Sequence, residues 1–174
     1  MTHQENMRTQ TITQLAMSNE QGVKNFIASV LFGLMLMLAM YLLYIGPGIP
    51  TAISEFEFVL LALAVFRVVR LFAYDKITEW LRDIFYDVRV QGEEVIRTKP
   101  SRGVRRTIID LLLCPWCLGV WASLFITFFY FYTPFAWFPI IMLAIAGVGS
   151  LFAIFANLIG WYAEGRKREV EGSR

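Results

Sequence analysis

The apolar residues of this chain are gathered into runs long enough to cross a lipid bilayer, and that distribution constrains the fold more than any motif does. Phe26 to Gly46 is a run of about 20 mostly apolar residues, which at about 1.5 Å per helical residue matches a hydrocarbon core of about 30 Å. It follows a polar segment, 1–25, in which a short helix is expected around Ile12 to Met17. It ends in Gly46-Pro47-Gly48-Ile49-Pro50, a sequence that stops a helix. A cleaved secretory signal has a shorter apolar core followed by small residues, so this run reads as a retained span. Hydrophobic residues make up 57% of the chain and charged residues 17%, a balance that soluble domains do not favour.

Three further spans follow. Ser54-Glu55-Phe56-Glu57 has the spacing of a capping box, with Ser54 as N-cap and Glu57 three residues in, and opens a second span to about Tyr74. This span carries Arg67 and Arg70. A mid-membrane arginine costs roughly 2.5–3.5 kcal/mol on insertion scales, less near an end where it snorkels. Pro115 to Tyr132 and Phe138 to Tyr162 complete the set. The expected architecture is all-α and integral to the membrane. A polar tail, 1–25, precedes a membrane domain, 26–162, with spans at about 26–46, 55–74, 115–132 and 138–162, and a charged tail, 163–174, closes the chain.

Residues 75–113 form the one substantial polar insert. Ile77, Trp80, Leu81, Ile84, Phe85 and Val88 recur at steps of three and four, so Asp75–Val90 is expected as an amphipathic helix in the membrane interface, with Asp75 as its N-cap. A small hairpin between Val88–Val90 and Val95–Arg97 is the alternative around Gln91-Gly92-Glu93. Lys99 to Gly103 is a second break, followed by a short amphipathic helix with Val104, Ile108, Leu111 and Leu112.

Basic residues set the orientation. The insert holds Lys76, Arg82, Arg89, Arg97, Lys99, Arg102, Arg105 and Arg106, and the C-terminal tail holds Arg166, Lys167, Arg168 and Arg174. The loops 47–54 and 133–137 hold none. Under the positive-inside rule, the insert and both termini face the cytoplasm, and only an even number of spans allows this. Phe128 to Tyr132, Phe135 and Trp137 then form an aromatic belt at the opposite surface. A net charge of +2 and the lack of a basic-aromatic stripe argue against a nucleic-acid partner.

The sharpest motif is Cys114-Pro115-Trp116-Cys117, at the start of the third span. Cys114 falls at the N-cap, Pro115 at the first helical position and Cys117 three residues in, and a helix N-terminus favours the thiolate. One reading is a thiol-redox couple, although no βαβ context surrounds it and the reducing cytoplasm opposes it. A second is half of a zinc site, completed by the same pair from another copy, since four ligands are needed. The third is a packed helix start in which Cys acts as a small hydrophobe. The single histidine, His3, lies outside every span, which removes Ser-His and Cys-His catalysis from the membrane. No catalytic residue and no resident cofactor are expected.

Arg67 and Arg70, with Arg105 and Arg106 at the same level, are candidates for an intramembrane charge site or a lipid-headgroup pocket. Asp110, Glu164, Asn157 and anionic lipid are the partners open to them, and simple snorkelling is the competing reading. Gly119, Ser123 and Thr127 make one small-residue face, and Ala146, Ser150, Ala153, Asn157 and Gly160 another. Such faces let helices approach closely, so the third and fourth spans are expected to pack through them, or to pair two copies.

Leu61-Ala62-Leu63-Ala64-Val65-Phe66-Arg67-Val68-Val69-Arg70-Leu71, followed by Asp75-Lys76-Ile77-Thr78-Glu79, and the string Cys114-Pro115-Trp116-Cys117-Leu118-Gly119-Val120-Trp121 are the two blocks that carry a family resemblance. With them the chain resembles a bacterial membrane family catalogued as domain of unknown function 1360, over roughly residues 58–155. The resemblance implies a small multi-span protein of bacteria, including spore formers, and of some phages. It implies no reaction. The expected function is therefore a non-enzymatic interaction or assembly protein of the bacterial inner membrane, acting through its cytoplasmic insert on a protein partner, a second copy or membrane lipid. A thiol-redox or metal-binding role for Cys114 and Cys117 is the alternative.

Overall fold

The computed structural model describes the backbone of residues 3–91, 94–100 and 103–172, and side-chain surroundings for 22–87, 98–100 and 103–168. The chain is predominantly helical. Helix α1 runs His3–Ile45, α2 Glu55–Ala73, α3 Glu79–Asp83, α4 Val104–Leu112, α5 Pro115–Tyr132 and α6 Trp137–Gly172. A 3-10 turn, Lys76–Thr78, precedes α3 and another, Pro134–Ala136, precedes α6. Strands β1, Asp87–Gln91, and β2, Glu94–Thr98, lie between α3 and α4. Among the described residues, three helical segments are long and apolar enough to cross a membrane: Gly22–Ile45, Pro115–Tyr132 and Pro134–Arg168. Helix α2 is similarly long and apolar but carries the charged Glu55, Glu57, Arg67 and Arg70.

Two expectations change. The polar residues from His3 onward are the first turns of α1 rather than a separate tail with its own short helix. No proline interrupts this stretch, and Gly22 costs a helix interior only about 1 kcal/mol. The amphipathic helix expected over Asp75–Val90 ends at Asp83, and the insert is not wholly helical. Valines and isoleucine beyond this point suit a pleated strand better than a helix. Strands β1 and β2 pair antiparallel from Asp87↔Thr98 through Val88↔Arg97 to Gln91↔Glu94, the hairpin alternative. Gly103, at φ +100°, supplies the left-handed turn that starts α4, a conformation a residue with a Cβ adopts only under strain.

Helix α2 is the central element. Its Leu60, Leu61 and Ala64 are buried with Ile126 of α5 and with Ile140 and Ala144 of α6. Leu118, Ala122 and Ile126 form the buried face of α5, at the four-residue spacing of one helical stripe. The two small-residue faces therefore do not make the main contact with each other, because α2 lies between α5 and α6. Helix α1 docks on α5 partly through aromatics, with the Phe32 and Trp121 rings edge to face at 5.1 Å. Phe26, Leu34 and Met37 of the same helix point outward.

At the N-terminal end of α2 the capping box is complete. The Glu57 backbone N–H donates to Ser54 Oγ at 3.2 Å, and the Ser54 N–H donates to Glu57 Oε2 at 2.9 Å. The Tyr130 hydroxyl donates to Glu57 Oε1 at 3.0 Å and ties α5 to the same end.

Candidate functional site at the C-terminal end of the second helix

A helix ends with carbonyls that have no intrahelical donor, and a packed end needs them satisfied from elsewhere. In α2 the insert performs this task. Arg82 of α3 donates from one guanidinium nitrogen to the Phe72 carbonyl at 2.8 Å and from another to the Asp75 carbonyl at 3.0 Å. The Thr78 hydroxyl donates to the Leu71 carbonyl and lies 3.2 Å from the Asp75 carbonyl. Arg82 also reaches Thr78 Oγ1 at 3.2 Å. The insert is thus folded back under α2.

That fold-back aims Asp75 at Arg67. Asp75 occupies the N-cap position of the 3-10 turn, but its side chain makes no cap hydrogen bond. Its carboxylate instead pairs with Arg67 at 2.9 Å, with side-chain exposures of 25% and 23%. Arg67 donates also to Ser150 Oγ of α6 at 3.0 Å, and the Ser150 hydroxyl donates to the Ala146 carbonyl at 2.9 Å. Gly147 makes this reach short. A Cβ there would lie 2.5 Å from the Leu63 carbonyl oxygen and 3.6 Å from Arg67 Cβ. The missing side chain lets α6 lie against α2 one turn before Ser150 meets Arg67.

Arg70, one turn further along α2, has a different setting. Its guanidinium carbon lies 5.6 Å from the centre of the Tyr74 ring. Its Nε is buried and has no hydrogen-bond partner among the described residues.

Arg105 and Arg106 are occupied within the insert. Arg105 donates to the Ile84 carbonyl at 2.7 Å and the Tyr86 carbonyl at 3.0 Å, and pairs with Asp87 at 3.4 Å. It pins the entry of β1 to α4. Arg106 pairs with Asp110 at 2.8 Å and donates to the Pro100 carbonyl at 3.2 Å, while Lys99 reaches the other Asp110 oxygen at 3.2 Å. Burial alone raises the Asp110 pKa, but the hydrogen bonds and charges of Arg106 and Lys99 outweigh it and hold the carboxyl below its ordinary value. These pairs are about a third or more exposed, so each is worth roughly 1 kcal/mol or less.

The cysteines begin α5. Cys114 is the N-cap in an extended conformation, with Pro115 next, and its sulfur accepts the Cys117 N–H at 3.3 Å. The two sulfurs are joined as a disulfide, with Cα atoms 5.3 Å apart. Helix α5 runs antiparallel to α2: a Cβ added to Gly119 would lie 3.8 Å from Val69, and Tyr130 stands beside Glu57. This register puts the cysteine pair at the same end of α2 as Arg70 and Tyr74. No group of three or more His, Cys, Asp or Glu side chains placed to hold a metal occurs among the described residues.

Of the small residues singled out from sequence, Ser150 bonds Arg67 and Gly119 faces Val69 of α2, whereas Ser123, Ala146 and Asn157 face outward. Asp75, Arg82 and Gly147 escaped the sequence reading as partners of the arginines and of α2. The available signal for Asp75 was a carboxylate directly after an Arg-bearing span.

The chain matches the family described as Protein of unknown function (DUF1360) over residues 60–156. The matched segment contains Arg67, Asp75, both cysteines and Ser150, and leaves α1 outside. Among curated proteins, it is 37% identical over 106 residues to "Sporulation protein YjcA" of Bacillus subtilis (strain 168), covering 57% of this chain and 89% of that one. It is 33% identical over 100 residues to "UPF0713 protein YngL" of the same organism, covering 57% of this chain and 77% of that one. No solved structure matches. With more than half of its length inside the match, and with both blocks that carry the resemblance included, the chain belongs to the DUF1360 family.

Proposed function

We propose that this is a four-span protein of the bacterial cytoplasmic membrane whose insert, residues 75–113, is a docking platform on the cytoplasmic face for a protein partner. The observation that carries the reading is that the insert is tied down at three points among the described residues. Arg82 holds it to α2, Arg105 holds the start of β1 to α4, and Lys99 and Arg106 share Asp110. An isolated two-stranded hairpin is marginal in water, so a linker would have no physical reason to be anchored in this way. A two-stranded sheet also keeps free backbone groups on both outer edges, which suits strand addition by a partner.

Support for the fourth span is geometric. Helix α2 buries its apolar face between α5 and α6, so if those two cross the bilayer α2 lies along their length. Asp75 offsets the charge of Arg67, which lowers the cost of placing that helix in lipid. The concentration of basic residues in the insert and the C-terminal tail supports placing both, and the N-terminus, in the cytoplasm. The likeness to a protein named for sporulation puts sporulation forward as the setting.

The test is to replace residues 87–98 by a Gly-Ser linker of equal length in the native host. The expected outcome is a normal amount of protein in the membrane, loss of its in-cell crosslinks to a protein partner, and the phenotype of a deletion. Wild-type crosslinks and phenotype from the replaced protein would refute the platform.

A second function is favoured by one observation, the pairing of Cys114 with Cys117 at a helix N-terminus. Reversible exchange there would take two electrons from a cellular dithiol, through a mixed disulfide, and leave both cysteines as thiols. A zinc site has less support, since the pair supplies only two of four ligands. Thiol trapping in cells separates the readings: a pair found only as free thiols under every growth condition removes the redox role.

A further inference from the structure

We infer that Arg70 and Tyr74 form a binding site for the phosphate of an anionic lipid headgroup. The inference rests on the membrane reading above and adds a ligand to it. Its first support is the contrast among neighbouring arginines. Arg67 meets Asp75 and Ser150, Arg82 meets three oxygen acceptors, Arg105 meets two carbonyls and Asp87, and Arg106 meets Asp110 and a carbonyl. Arg70 meets the face of Tyr74, and its buried Nε meets no acceptor among the described residues. A ring face attracts a cation but supplies neither a counter-charge nor an oxygen for the N–H groups. A guanidinium stays protonated in proteins, and no carboxylate among the described residues pairs with Arg70, so its charge, presented by the outer nitrogens rather than by the enclosed Nε, calls for an external anion.

Location selects the anion. Arg70 lies in the last turn of α2, and the chain directly beyond it presents Tyr74, Ile77 and Trp80, exposed to 59%, 70% and 66%. Tyrosine and tryptophan settle at the headgroup level of a bilayer, where the apolar body is in lipid and the polar tip is wet. The phosphates of the lipids lie at that same depth. A phosphate oxygen pair also matches the planar fork of a guanidinium, as a carboxylate does. Arg70 is therefore placed as the specific contact, and Arg67, Arg105 and Arg106 are not, because each of these already pairs with a carboxylate.

The experiment uses the full-length protein extracted from membranes in mild detergent, with phosphatidylglycerol or phosphatidylcholine added back, and reads retained lipid by native mass spectrometry. One basic contact at an anionic surface is worth about 1 kcal/mol, so phosphatidylglycerol is expected to be retained about fivefold better. Arg70→Gln should bring the ratio to about one, Arg70→Lys should keep part of the preference, and Lys167→Gln should leave it unchanged. Equal retention of both lipids by the wild-type protein overturns the site, and does so even if Arg70→Gln cannot be purified. An undiminished preference in Arg70→Gln overturns it as well. Displacement of phosphatidylglycerol by millimolar inorganic phosphate would mark a soluble-anion site and overturn the lipid assignment. Failure of the membrane reading is a separate result, since the protein would then be recovered without detergent.

Discussion

Gly147 of α6 lies so close to Leu63 of α2 that a Cβ added to it would stand 2.5 Å from the Leu63 carbonyl oxygen. Backbone cannot yield as a flexible side chain can, so any substitution here pushes two helices apart. Gly147→Ala should destabilise by roughly 1–3 kcal/mol, the usual range for overpacking, and Gly147→Val by more. Gly149 on the same helix has open space around it, so Gly149→Ala should be neutral or stabilising by up to about 1 kcal/mol. Thermal melting of the three purified variants in one detergent checks the contrast. A melt of Gly147→Ala equal to wild type would show that the close approach is absent.

Arg67 and Asp75 make the second prediction. Removing one member of a shielded ion pair strands the other, which costs more than the pair itself contributes. Asp75→Asn should destabilise by more than the roughly 1 kcal/mol of an exposed pair and by less than the roughly 3–5 kcal/mol of a buried one. Arg67→Met with Asp75→Leu should cost less than the sum of the two single changes, because the double change leaves no unpaired charge. Denaturation midpoints of the four proteins close the cycle. Strict additivity would mean that the two side chains do not interact.

Asp110 gives the insert a pH dependence. Its carboxyl pKa is lowered in the folded protein, since Arg106 and Lys99 outweigh the effect of burial. The stabilisation is thus complete above the unfolded carboxyl value, near 3.9, and is lost as pH falls through the lower folded value. Both cations remain charged throughout this range. Because the pair is about a third exposed, the effect should stay at or below about 1 kcal/mol. The protection of the 99–112 amides, taken relative to their intrinsic exchange rate at each pH, should fall at about pH 3 relative to pH 6, and Asp110→Asn should show low protection at both. An unchanged ratio of the two protections in Asp110→Asn would assign the acid response to other carboxylates.

Local chemistry was legible in the sequence where it depends on neighbours along the chain. The Ser54 capping box, the Gly46–Pro50 stop and the Cys114-Pro115 helix start all involve residues within four positions of each other. The hairpin at 87–98 was readable only as an alternative, because Ile84, Phe85 and Val88 continue a helical spacing that strand pairing overrides. What sequence did not disclose was the central place of α2. Glu55, Glu57, Arg67 and Arg70 set it apart from the more weakly charged apolar windows of α1, α5 and α6, and Arg67 pairs with Asp75 across the end of the helix. That pairing is fixed by Arg82 and Thr78 folding the insert back, a tertiary event with no periodic signature. Gly147 was hidden for the same reason, since a close approach belongs to two helices and not to one stripe.

The cysteines at the start of α5 have two separable tasks. Cys114 caps the helix by accepting the Cys117 N–H, and the pair joins sulfur to sulfur. Cys117→Ala abolishes the bond between sulfurs but leaves the cap, whereas Cys114→Ala abolishes both. Loss of an N-cap typically costs about 0.5–2 kcal/mol, and Cys114→Ser keeps an oxygen acceptor at that position. In reducing buffer, Cys114→Ala should therefore melt below Cys117→Ala, and Cys114→Ser should match or exceed the wild type. In oxidising buffer, every one of these variants loses the link between sulfurs, so the order among them should persist while the wild type moves relative to all three. If Cys114→Ala and Cys117→Ala melt together under reducing conditions, the Cys114 sulfur contributes no capping, and any role of the motif lies in the pairing alone.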